Sequence, residues 1–185
     1  MSTTVWQLRS TQRLRTSVQR GAVILTTLLV GCAAPPYRCV DRSSIPEVPT
    51  EISVGDERTF FVDAKLPWNR SGVRVSAGQM YQISVGASDP PWMDWFIPAT
   101  PESGWSPWWQ PLGEVLRSAA RVPTAKMSAL VCSAGQEDGN ALPVGEIDGR
   151  PFPSSGELLC FANDWAGHYD NNRGCVPVTM RRLEP

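Results

Sequence analysis

Hydrophobic and polar positions alternate in short bursts along this chain and seldom recur at helical spacing. Residues 80–85 (MYQISV) are the clearest case, with Tyr81, Ile83 and Val85 on one face. Residues 59–64 (TFFVDA) and 72–75 are similarly β-rich. Residues 126–134, 157–162 and 175–181 are three further short runs, each bounded by Gly, Pro, Asn or Asp. Only residues 112–121 (LGEVLRSAAR), bracketed by Pro111 and Pro123, have a helical composition. Many short strands separated by turn signals predict an all-β sandwich or barrel. There is no internal repeat.

The first residues follow another pattern. Residues 1–31 carry Arg9, Arg13, Arg15 and Arg20 and no acid, then run into the apolar stretch GAVILTTLLV at 21–30. A positive segment before a short apolar one is the layout of an export signal. Its flank, Leu29-Val30-Gly31-Cys32, resembles the lipobox of bacterial lipoproteins. That resemblance implies that residues 1–31 are removed and that Cys32 carries the acyl chains, palmitate among them, as a membrane anchor. Ala33, where sorting rules place Asp for inner-membrane retention, implies the outer membrane. Residues 32–55, with Pro35, Pro36, Pro46 and Pro49, then read as a semi-rigid tether to a domain at 56–185.

Composition narrows the function. The 185 residues contain 17 Lys and Arg against 18 Asp and Glu, a net of −1. Setting aside the four N-terminal arginines leaves 13 against 18, a net of −5, which argues against a nucleic-acid partner. One histidine excludes the multi-histidine zinc sites of many hydrolases. Five cysteines become one anchor plus Cys39, Cys132, Cys160 and Cys175. After export these four can form two disulfides in any of three connectivities. The preferred one joins Cys132 to Cys160 across neighbouring strands and Cys39 to Cys175.

Residues 90–111 are a Trp- and Pro-rich insertion. Five of the eight tryptophans (Trp92, Trp95, Trp105, Trp108 and Trp109) lie here among five prolines up to Pro107. It reads as a long loop whose rings either stack on sugars or protein partners or cover one open end of the sandwich.

The densest polar cluster is residues 163–174 (NDWAGHYDNNRG), between two strand signals. Asp164, Asp170, Asn171 and Asn172 offer the hard oxygens that calcium prefers, though the order and the terminal Glu of an EF-hand are missing. Asn and Gly also suit a tight polar turn, a purely structural role. No G-x-S-x-G, H-E-x-x-H or phosphate-cradling glycine loop occurs, so no motif supports catalysis.

The spacing N-D-x-x-G-x-Y-x-N-N-x-G in this cluster resembles the calcium-dependent, galactose-binding lectins of the LecA (PA-IL) type. Shorter matches are GQMYQISV at 78–85, ALVC at 129–132 with Gly135, PVG at 143–145 and VPVT at 176–179. The resemblance covers residues 57–182. It implies a small jelly-roll-like β-sandwich of the galactose-binding-domain type, with calcium held by Asp164, Asn171 and Asn172. It also implies main-chain oxygens at His168 and within residues 91–94. Sugar hydroxyls would complete the ion's coordination, flanked by Trp165, Trp92 and Trp95. The insertion holds no counterpart of the His that helps grip sugar in that family, so galactose specificity does not transfer.

Three functions follow from these readings. The first is an anchored lipoprotein carrying a calcium-dependent carbohydrate-binding module, with a glycan as ligand. The second is a structural or protein-interaction lipoprotein that keeps the fold, binds no sugar and meets other envelope proteins. A hydrolase, resting on scattered carboxylates such as Asp94, Glu102 and Asp164, is a distant third. The expectation is a binding protein, not an enzyme.

Overall fold

The alternating segments pair into antiparallel sheets in a computed structural model, which describes Cys39 and residues 45–184. The expected signal segment and the anchor Cys32 lie outside the described residues. In chain order the elements are β1 (Glu57–Asp63), β2 (Asn69–Val75), β3 (Tyr81–Val85), β4 (Met93–Asp94), β5 (Ile97–Thr100) and β6 (Gly104–Trp105). Helix α1 (Gln110–Leu116), β7 (Leu130–Ala134), β8 (Leu142–Pro143), the short helix α2 (Val144–Ile147), β9 (Gly156–Ala162), β10 (Asn172–Arg173) and β11 (Cys175–Arg182) complete the fold.

One sheet has the order β1-β11-β3 and the other β2-β9-β7-β8. Their inner faces share one core. Phe60, Val62, Tyr81, Val176, Val178 and Met180 come from the first sheet. Val73, Val75, Leu130, Leu158 and Cys160 come from the second. The all-β sandwich expected from the sequence is therefore the fold. Burying two faces of alternating side chains is its main stabilising term.

Every residue of β7 is buried, because the second sheet is covered on its outer face as well. There Val131 and Phe161 pack with Val122, Ala125, Ala141, Tyr169 and Trp68. The disulfides pair Cys132 with Cys160, directly opposed on β7 and β9, and Cys39 with Cys175. This is the preferred connectivity of the three.

Several boundaries move. Residues 45–55, expected as tether, belong to the sandwich. Ile52 enters the core, and Thr50 pairs with Val73. The Arg70 guanidinium donates to the carbonyls of Pro46 and Glu47 while it pairs with Glu157. The expected helix at 112–121 begins earlier and gives way to a 3-10 turn at Arg117–Ala119. Residues 126–129 turn before the strand at Leu130 begins.

The insertion is not a plain loop. Strands β4, β5 and β6 join β10 in a small sheet of order β10-β4-β5-β6. Ile97, Trp105, Ala120 and Met127 form its own core, with Trp109, Leu116 and Trp165 against it. Gly113 lets α1 lie on the Trp105 ring, since a Cβ there would stand 3.2 Å from Cε3.

Candidate cation and ligand site

Strand β9 ends at Ala162 and delivers the polar cluster to one end of the sandwich. Asn163 is completely buried and serves as a latch. Its Oδ1 accepts from the Val122 N–H, and its Nδ2 lies within bonding distance of the carbonyls of Val122, Ala125 and Lys126. These bonds fix the 122–126 turn beneath the loop.

Tyr169 is held from the other side. Its hydroxyl accepts from Arg121 at 2.8 Å, and burial is the main reason its pKa is pushed up to about 12. The Arg121 guanidinium also lies over the rings of Trp68 and Phe161, at 4.2 and 3.7 Å. Gly174, at φ +131, ends the loop where a Cβ would stand 2.8 Å from the Trp92 Cα.

The two carboxylates of the site come from distant segments. Asp164 is almost fully buried; its Oδ1 accepts the Trp165 N–H at 2.6 Å and its Oδ2 accepts Asn172 Nδ2 at 3.0 Å. Asp94 reaches the same end because β4 pairs with β10, placing Asp94 opposite Asn172. Its Oδ1 accepts Asn171 Nδ2 at 2.9 Å. Its Oδ2 accepts Trp105 Nε1 at 2.9 Å and Ser128 Oγ at 3.2 Å.

Burial raises the Asp164 carboxyl to about 6; the charge of Asp94 adds to that, against hydrogen bonds from Trp165 and Asn172. Asp94 is raised as well, by burial, against donors from Trp105, Ser128 and Asn171. Both carboxyls are therefore harder to ionise than exposed ones, and a cation beside them would favour their charged forms.

A second feature points the same way. Asn172 Oδ1 is buried and accepts no hydrogen bond, although a buried acceptor without a donor costs about 1–3 kcal/mol. An orphaned amide oxygen beside coupled carboxylates fits a hard cation bound by oxygen. Among the described residues no cluster of three or more His, Cys, Asp or Glu that could hold a metal ion occurs.

Beside this polar end lies a cavity of about 350 Å³. Asp94, Asp164, Asn171 and His168 form its polar edge, and Trp95, Phe96, Trp109, Leu112 and Trp165 its apolar wall. The rings of Trp95, Phe96 and Trp109 follow one another at 4.6 and 5.4 Å between centroids. Trp95 has the left-handed φ of +53 and gives its N–H to the Asn171 carbonyl. Such a conformation costs on the order of 1–3 kcal/mol in a bulky residue, and it is held next to the carboxylates.

The structure thus brings Asp164, Asn171, Asn172 and His168 to one end, with Trp95 and Trp165 at the cavity. Trp92 is a correction. It is 3% exposed, packs in the main core and donates to the Ser128 carbonyl at 2.8 Å, so it offers no face to a ligand. Sequence reasoning assigned residues 91–94 a main-chain oxygen and named the Asp94 carboxylate only for a hydrolase, not for this site. It also left out Phe96 and named Trp109 only among the insertion's rings, not in the sugar site. Their only signal was the aromatic density of the insertion.

No family model matches the chain, and no curated protein matches it. Among solved structures, the chain is similar to one described as the EclA N-terminal domain, a PllA-like lectin. The two are 26% identical, over 68% of this chain and 95% of that one, with a TM-score of 0.47.

Proposed function

We propose that this chain is a calcium-dependent carbohydrate-binding protein held in the cell envelope by acyl chains on Cys32. The observation that carries the reading is the buried, donorless Asn172 Oδ1, on a side chain bonded to Asp164 and opposite Asp94. Asp164, Asn171 and Asn172 would hold the ion, with a main-chain oxygen of His168, as the lectin-like motif implies. When bound, calcium supplies a hard centre whose remaining positions two neighbouring sugar hydroxyls can fill.

The chain's own groups do the rest. Asp94 engages the NH2 of Asn171 and leaves that amide's oxygen for the ion, acting through Asn171 as a positioning residue. Trp105 and Ser128 fix Asp94 in turn. The Trp95–Phe96–Trp109 wall offers apolar ring faces on which the carbon face of a sugar can stack. Calorimetric titration of calcium into the full chain tests the ion site. One saturable site is expected in the wild type and none in Asp164→Asn; absence of binding heat in the wild type refutes it.

A second reading is an envelope interaction protein without a sugar ligand. The exposed Trp108 and Val115, outside the cavity, favour it. It predicts partner binding that chelation leaves unchanged.

A further inference from the structure

Five of the eight exposed large apolar side chains among the described residues lie between positions 95 and 115, in the insertion and α1. Trp108 is 92% exposed, Val115 74%, Trp95 71%, Phe96 52% and Leu112 44%. Trp108, Leu112 and Val115 follow one another at steps of four and three residues, the spacing of a single helical face. That face points to solvent while Gly113, on the opposite side of α1, lies against Trp105. A helix whose apolar stripe faces outward is unpartnered, and exposed rings of this density mark a contact surface.

The path from the anchor says what the contact is. Only seven positions separate Cys32 from Cys39, a span of at most about 25 Å. Cys39 is then pinned, its Cα 5.4 Å from that of Cys175. Cys175 lies two residues beyond β10, at the Met93 end of β4; its carbonyl accepts from the Asp89 N–H and its own N–H donates to Ser88 Oγ, at the base of the insertion. The disulfide thus shortens the tether from residues 33–44 to residues 33–38, a leash that ends at the base of the insertion. Tryptophan and other rings prefer the membrane–water interface, where the apolar body is buried and the polar edge stays wet. The only charged residues of α1 and its following turn, Glu114 and Arg117, pair with each other at 3.2 Å.

We infer that the outward face formed by Trp95, Phe96, Trp108, Leu112 and Val115 rests on the bilayer that holds the Cys32 anchor. The inference rests on acylation of Cys32 and deepens the proposed function: the cavity beside Trp95 then opens at the lipid surface. Sugars displayed there, on lipid headgroups, are within its reach.

The test is tryptophan quenching of the full acylated protein in vesicles of phosphatidylethanolamine and phosphatidylglycerol, with and without brominated acyl chains. The expected result is loss of emission in the brominated vesicles. That loss should disappear in a Trp95→Ser, Trp108→Ser variant, whose solvent-exposed positions leave the core intact. It should shrink in Cys39→Ser, Cys175→Ser, which lengthens the leash. Equal emission in both vesicle types overturns the inference, as does a mass spectrum showing Cys32 unacylated. Concentration-dependent self-association that hides the same tryptophans from bromine overturns it in favour of a second copy. Calcium titration on the same sample keeps the two ideas apart. A bound ion with unquenched tryptophans defeats only the membrane contact, and an empty ion site with quenched tryptophans defeats only the cation.

Discussion

Asn172 Nδ2 donates to Asp164 Oδ2 at 3.0 Å, and the same bond leaves Asn172 Oδ1 buried without a donor. One side chain therefore satisfies a carboxylate with its nitrogen and is left unsatisfied at its oxygen. Asn171 makes the matching bond to Asp94 at 2.9 Å. Two adjacent amides are each held by a carboxylate, at the end of the sandwich where the aromatic wall begins.

Removing calcium should lower stability. At a concentration 100 times its Kd, a ligand that binds only the folded state stabilises it by about 2.7 kcal/mol. For a domain of this size that corresponds to a Tm difference of several degrees between calcium and chelator. Differential scanning calorimetry checks it, and Asp164→Asn should show no difference.

The stabilisation should depend on pH. Asp164 has a folded pKa of about 6, above its ordinary 3.8. The folded apo state thus holds this proton more tightly than the unfolded chain does. The resulting stability is complete below 3.8 and is lost as pH rises through about 6. Calcium needs the deprotonated carboxylate, so the Tm increment from calcium should be small at pH 5 and larger at pH 7.5. Equal increments at the two pH values would contradict the assignment of Asp164 as a ligand.

Asp94 should matter without touching the ion. In Asp94→Asn the new amide retains one acceptor oxygen for the donors of Trp105, Ser128 and Asn171. Loss of such a supporting group typically weakens metal affinity by about 10–100-fold. Calorimetry should show that loss for calcium, with an unchanged one-to-one stoichiometry. An unaltered affinity would show that Asp94 does not position Asn171.

The asparagines of the motif should separate by readout. Asn163→Ala leaves the Ala125 carbonyl and the Val122 N–H without a partner in a buried place, at a cost of roughly 2–4 kcal/mol. Its signature is a lower Tm in calcium and in chelator alike. Asn172→Ala should instead abolish most of the difference between those two conditions. The same pattern for both variants would mean that the loop is only a turn.

How far the sequence reaches depends on the range of the interactions. The β3 signal is local, and Tyr81 is buried with Ile83 and Val85 packed against the core. The strand at 157–162 was legible for the same reason. The run at 126–134 was read too long, because residues 126–129 are turned by Asn163 reaching across from β9, which no local pattern records. The insertion was the hardest. Strands β4 and β6 have two residues each, too few to display a period, and the prolines and tryptophans around them read as loop. In the site, the motif spacing pointed to Asp164, Asn171 and Asn172. The role of Asp94 exists only because β4 pairs with β10, and Trp92 was misplaced because its burial depends on that docking.

The central claim is tested most directly by a glycan array probed with the full chain in calcium and again in chelator. The account predicts binding to a set of glycans that share a vicinal diol, lost in chelator and lost in Asn172→Leu. Silence across the array with calcium bound, or binding that survives both chelation and Asn172→Leu, would contradict it.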